Sequence, residues 1–166
     1  TTLAAGGAGN VAANIASLSA SVDLCGFYGS DNTGTKLDQV LKQAKVSNKG
    51  LVKTKRCTSL KSRIITSQQH VVRVDREETT PFKQQDYNKL FSFIEKNIHT
   101  YHAVILSDYL KGVLKPTFTQ KLIQLAKKHN CMVIVDPKGN SFNKYTNANY
   151  ITPNFKEFCD ISNTIY

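Results

Sequence analysis

The sequence predicts an α/β fold, a mostly parallel central sheet with flanking helices and a small β-ribbon, and three observations carry that expectation. Two short apolar runs, Ala103-Val104-Ile105-Leu106 and Met132-Val133-Ile134-Val135, read as strands covered on both faces, as parallel strands are. Segments with helical periodicity alternate with them, which implies right-handed βαβ units. Between residues 51 and 75 the period changes to two.

Taken in chain order, Val11, Ile15 and Leu18 fall at i, i+4 and i+7 among alanines, so residues 10–19 read as a helix packed closely on a sheet. A strand follows from Val22 to Tyr28, and helical periodicity returns near 34–44. In the ribbon, Gln69, Val71, Arg73, Asp75 and Glu77 share one face and Val72 and Val74 the other. Leu60 and Ile64, with the cationic pair Lys61 and Arg63, make the partner strand. The order then runs helix 84–98, strand 103–107, helix 117–129, strand 132–136, strand 149–152 and a helix from 154. No repeat, low-complexity tract or linker interrupts it.

A chain of 166 residues fits one domain and buries roughly 70% of its unfolded surface. Cys25, Cys57, Cys131 and Cys159 form no C-x-x-C pair, which argues against disulfide and zinc frameworks and for reduced thiols in the cytoplasm. The apolar runs are too short to span a bilayer and the first residues carry no signal-peptide pattern, so a soluble protein without a membrane partner is expected. The net charge of +10 is concentrated, because no Asp or Glu occurs from Gln39 to Val74 while nine Lys and Arg do. Such a segment is a solvated face, a site for an anionic small substrate, or a nucleic-acid surface.

In an open α/β sheet, ligands gather beyond the carboxyl ends of the strands. Three polar stretches follow strands there: Ser107-Asp108-Tyr109-Leu110-Lys111-Gly112, Asp136-Pro137-Lys138-Gly139 and Thr152-Pro153-Asn154-Phe155-Lys156-Glu157. Singly, Asp-Pro-Lys-Gly makes an ordinary turn and Asn-x-x-Glu a capping box. A fourth stretch, Gly7-Ala8-Gly9-Asn10-Val11-Ala12, fits a loose dinucleotide fingerprint, G-x-G-x-x-A. However, no convincing strand precedes it and no acid closes the next strand to bind a ribose. Asn10 is then either a helix N-cap or an amide facing a polyhydroxylated ligand.

Gly6-Gly7-Ala8-Gly9-Asn10-Val11-Ala12 resembles the first signature of the ribokinase-like, phosphofructokinase B-type carbohydrate kinases, and Asn154-Phe155-Lys156-Glu157 resembles their Asn-x-x-Glu motif. Gln68-Gln69 with Arg73-Val74-Asp75, the 106–112 stretch, Asp136-Pro137-Lys138-Gly139 and Thr152-Pro153-Asn154 are similar to the D-glycero-D-manno-heptose 7-phosphate kinases. The likeness covers nearly the whole chain in order. It implies that Gly6, Gly7, Asn10 and Asp108 contact sugar hydroxyls. Gln69 and Arg73 belong to a lid over the substrate, and Lys61, Arg63 and Arg73 hold its phosphate. Lys111 and Lys138 face nucleotide or substrate phosphates. Glu157 with Asn154 organises Mg²⁺ through waters, and ATP is the phosphoryl donor. A homodimer through the lid is implied as well.

The same resemblance places the catalytic Asp in a Gly-Ala-Gly-Asp motif, which does not occur here, so the base is expected downstream of Tyr166. It also expects earlier strands bearing a sugar-binding acid. The sequence therefore reads as residues 1–166 of a sugar kinase domain, ribokinase-like and incomplete at both ends, with its lid at about 51–75 and no catalytic base of its own. The rival readings are a kinase for another sugar and a nucleic-acid module. Scarce aromatics in the basic segment argue against the latter.

Overall fold

Gly7 starts the first helix, α1 (Ala8–Ser17), with a φ of 53°, a left-handed conformation that glycine adopts without a steric penalty. The computed structural model describes residues 2–66 and 69–162. The packed stripe of α1 is Gly9, Ala12 and Ala16; Leu18, expected on that face, is 81% exposed at the C-cap. Small residues let the helix backbone approach the strand beneath it. That strand is β1 (Asp23–Gly29), followed by α2 (Asn32–Gln43) and β2 (Ser47–Thr54). Asp31 caps α2 by accepting the Gly34 N–H at 2.9 Å.

β1 and β2 pair in parallel, Phe27 opposite Val52. Along both strands alternate residues serve two cores. Leu24 and Leu51 pack with α1 and α2, while Cys25, Phe27 and Val52 join the larger cluster on the other face. This two-sided burial draws residues 51–54 into β2. The antiparallel ribbon is therefore narrower than 51–75: it comprises β3 (Leu60–Thr66) and β4 (Gln69–Arg76), with Arg63 opposite Arg73 and Ile64 opposite Val72. No core lies under it, since Ile64, Ile65, Val71, Val72 and Val74 are all exposed.

The remaining order is α3 (Gln84–Asn97), a 3₁₀ turn (Ile98–Thr100), β5 (Ala103–Ser107), α4 (Pro116–Lys128), β6 (Met132–Asp136), a second 3₁₀ turn (Asn143–Tyr145), β7 (Tyr150–Ile151) and α5 (Phe155–Ser162). Pro116 opens α4, where its missing N–H costs nothing. Strands β5, β6 and β7 are parallel and adjacent in that order. Leu90 and Ile94 of α3 and Leu122, Ile123 and Ala126 of α4 bury against Leu106, Val133 and Val135, and the same cluster takes in Phe27 and Val52. One core thus spans both parallel sheets. The opposite face of β5–β7 is open, with Ile105, Met132 and Tyr150 exposed.

Candidate functional site

Parallel strands direct their carboxyl ends to one edge, and the chemistry-bearing residues lie there. Ser107 and Asp136 are register partners at the ends of β5 and β6, and the Asp108 N–H donates to the Asp136 carbonyl at 3.0 Å. The Asp108 side chain is buried. Its carboxylate accepts from Lys144 Nζ at 2.6 Å, from the Tyr145 hydroxyl at 2.7 Å and from the Leu110 N–H at 2.7 Å. Three of a carboxylate's roughly four acceptor positions are thus filled from within the protein. Asp108, expected to face sugar hydroxyls, is in this structure the anchor of the loop that follows it. Burial, together with the bond to Asp108, pushes the Tyr145 phenol pKa up, so Tyr145 remains a donor.

That loop turns through two left-handed residues, Leu110 at φ 54° and Gly112 at φ 89°. It carries the Tyr109 ring onto the glycine segment: a Cβ at Gly7 would lie 3.5 Å from the ring, while one at Gly6 would meet open space. Asn10 is the third residue of α1, so the N-cap reading falls to Gly7. Its side chain is exposed and makes no hydrogen bond among the described residues.

At the ends of β6 and β7, Asn154 and Glu157 bond reciprocally: the Glu157 N–H donates to Asn154 Oδ1 at 2.9 Å and the Asn154 N–H to Glu157 Oε2 at 3.0 Å. This is a capping box that opens α5. Lys138 Nζ donates to Glu157 Oε1 at 2.7 Å, and that bond with the one from Asn154 lowers the Glu157 pKa. Asp136 shifts the other way, raised by burial and then by the Glu157 charge. Both Glu157 oxygens already accept, from Lys138 and from the Asn154 N–H, so a divalent cation here would be met through its waters. No group of three His, Cys, Asp or Glu fit to ligate a metal directly occurs among the described residues. The residues present fit Mg²⁺ bound through water. Tyr166, beyond which the catalytic base is expected, lies outside the described residues, as do residues 163–165.

Charge connects the ribbon to this edge. Lys111, on the Asp108 loop, and Lys61, on β3, both pair with the Glu77 carboxylate, Lys61 at 3.4 Å. Arg73 grips Asp75 with two bonds, of 2.9 and 2.7 Å, while Arg63 has no ion-pair partner among the described residues. Lys61, Arg63 and Arg73 share one face of the ribbon, as register and alternation require. The side chain of Gln69 lies outside the described residues, as does Gln68. The base of the ribbon is clamped by Asp31, which accepts from Thr58 Oγ1 at 2.7 Å, the Thr58 N–H at 3.1 Å and Arg76 Nη2 at 2.7 Å. Arg56 adds a second tie: its guanidinium lies 4.0 Å over the Phe82 ring and donates to the carbonyls of Glu78 and Lys111.

Sequence reading does not single out Lys144, Tyr145, Glu77 or Asp31 as site residues. The first two lie 36 and 37 residues from Asp108, a separation that no local period encodes. Glu77 gives a usable signal, since it lies just after the acid-free window closes.

The family model described as pfkB family carbohydrate kinase matches residues 1–164. The bifunctional protein HldE of Aliarcobacter butzleri (strain RM4018) is 43% identical over 159 residues, which is 95% of this chain and 33% of that protein. HldE of Helicobacter pylori (strain HPAG1) is 45% identical over 153 residues, 92% of this chain and 33% of its own length. The chain thus spans about a third of these curated relatives. Among solved structures, a PfkB protein from Polaromonas sp. JS666 superposes with a TM-score of 0.72 at 14% identity, over 97% of this chain and 59% of that one. Phosphofructokinase-2 from Escherichia coli in complex with fructose-6-phosphate gives 0.71 at 23%, over 96% and 53%. At such identities these two likenesses concern the fold. Among the described residues, no helix is long and apolar enough to cross a membrane.

Proposed function

Because the chain belongs to the pfkB family of carbohydrate kinases, we propose that it is the substrate-gathering part of an ATP-dependent kinase for a phosphorylated sugar. The substrate in this reading is D-glycero-D-manno-heptose 7-phosphate, the acceptor its anomeric hydroxyl, and the product the 1,7-bisphosphate used in making ADP-heptose for lipopolysaccharide. The similarity to the bifunctional HldE proteins supports that choice of sugar. The observation that carries the reading is what the 108–112 loop gathers: Tyr109 lies beside Gly7, Leu110 beside Gly139, which follows Lys138 of the Lys138–Glu157–Asn154 group, and Lys111 shares the Glu77 carboxylate with Lys61 of the cationic ribbon face.

Gly6 and Gly7 bring backbone close to the sugar, and the Asn10 amide, able to donate and accept, addresses its hydroxyls. Asp108 sets the loop beside them and keeps one acceptor position for a hydroxyl. Lys61, Arg63 and Arg73, with Gln69 on the same ribbon, meet the phosphate already on the sugar. Glu77 keeps the ammonium groups of Lys61 and Lys111 within reach of one another. Lys138 faces the phosphates of ATP. Glu157, with Asn154 and Asp136, would hold Mg²⁺ through water. That cation, when bound, offsets charge on the transferring phosphoryl group. The proton of the attacking hydroxyl goes to an Asp that the family motif supplies beyond Tyr166 and that these 166 residues do not contain. The enzyme works in the cytoplasm, where ATP is, as a homodimer joined through the ribbon.

The test is phosphoryl transfer from ATP to heptose 7-phosphate by the full-length protein, with Asn10→Ala and Glu157→Ala beside it and fructose 6-phosphate and ribose as competitors. The expected result is preference for the heptose, with a loss of at least about 100-fold in kcat/KM for Glu157→Ala and about tenfold for Asn10→Ala. Transfer only to another sugar keeps the kinase and removes the heptose. Transfer to no sugar overturns the reading.

A further inference from the structure

The ring of Tyr109 lies beside Gly7, at the glycine segment that opens α1. Tyr109 is 45% exposed, and a Cβ at Gly7 would meet its ring at 3.5 Å, while a Cβ at Gly6 would meet open space. The ring is not free to wander. Its neighbour Asp108 is tied by Lys144, Tyr145 and the Leu110 N–H, and the left-handed Leu110 and Gly112 fix the turn that follows. The surroundings otherwise offer backbone, amide and charge, which grip hydroxyls and phosphate but leave the C–H face of a sugar ring unmatched. An aromatic face is electron-rich, and the axial C–H groups of a pyranose present a weakly positive apolar face that complements it.

We infer that Tyr109 is a substrate-binding platform: its ring, beside Gly7, takes the C–H face of the sugar ring. This rests on the carbohydrate-kinase reading and deepens it, since it names the group that meets the apolar face of the sugar.

The experiment is steady-state kinetics on the full-length protein carrying Tyr109→Phe, Tyr109→Leu and Tyr109→Ala, with heptose 7-phosphate and ATP varied in turn. Tyr109→Phe keeps the ring and is expected to stay within about twofold of the parent in KM for the sugar. Tyr109→Ala should raise that KM by about tenfold with KM for ATP unchanged, and Tyr109→Leu, which keeps apolar bulk on Gly7, should fall between. An unchanged sugar KM in Tyr109→Ala overturns the platform, as does equal damage by Phe and Ala, which would assign the contact to the hydroxyl. A matched rise in both KM values overturns it too, as loss of structure. These outcomes leave the kinase reading standing. Only failure of the unaltered protein to phosphorylate any sugar removes that reading, and the platform falls with it.

Discussion

Asp31 shows how much one side chain carries in this fold. Its two oxygens accept four bonds: one caps α2, two hold Thr58 ahead of β3, and one pairs with Arg76 at the end of β4. Burial raises its pKa, but the bonds from Thr58 and Gly34 and the Arg76 charge outweigh that and lower it below the ordinary 3.8. A carboxyl that is more acidic folded than unfolded stabilises fully above its unfolded pKa and loses that contribution as pH falls through the folded one. Thermal unfolding of the full-length protein should therefore show Asp31→Ala costing about 2 kcal/mol near neutrality, from the lost cap and the stranded Thr58 N–H. The difference from the unaltered protein should shrink only below about pH 4. A variant that melts with the unaltered protein at pH 7 would mean the clamp contributes nothing. The helical period over 34–44 was legible in the sequence, but the Asp31 cap ahead of it was not singled out. The reach to Arg76, 45 residues on, has no local signal.

At the scale of the element, the ribbon differs from everything else in the molecule. Its alternation was readable, and so was the partition of cations onto one face, because a period of two needs only neighbouring residues. Its start was not: residues 51–54 alternate equally well in a sheet buried on both faces, and only the helices over Leu51 and under Val52 decide between the two. Helix α1 is a parallel case, as close packing favours its alanines over Val11, Ile15 and Leu18. With Ile64, Val72 and Val74 on one exposed face, β3 and β4 cannot hold together by burial of their own, and an isolated two-stranded hairpin is marginal in water. A second copy of the ribbon, laid face to face, would bury those side chains and leave Lys61, Arg63 and Arg73 toward the substrate. Sedimentation of the full-length protein is expected to give a dimer, and Val72→Asp with Val74→Asp to shift it to monomer. A double variant that sediments with the parent would place the assembly elsewhere.

At the scale of the whole molecule, the helical layers are unequal. α3 and α4 cover one face of the parallel strands from Phe27 to Val135, whereas α1 and α2 cover the other face only over β1 and β2. Ile105, Met132 and Tyr150 remain open on β5–β7, and Phe155 and Phe158 of α5 are exposed as well. Apolar runs of Val, Ile and Leu in a parallel sheet are matched to burial on both faces, so this open face is a sticky one. The net charge of +10 opposes association at low salt, but screening shortens its range to about 8 Å at physiological ionic strength. The 166-residue chain on its own should then bind a hydrophobic dye and elute as oligomers whose size grows as salt is raised. Ile105→Lys with Met132→Lys, which puts charge on the open face without touching the Leu106–Val133–Val135 core, should reverse both. Monodisperse monomer with a sharp thermal transition at every salt concentration would show that the open face is tolerated in water, and that the strands are stable with one helical layer alone.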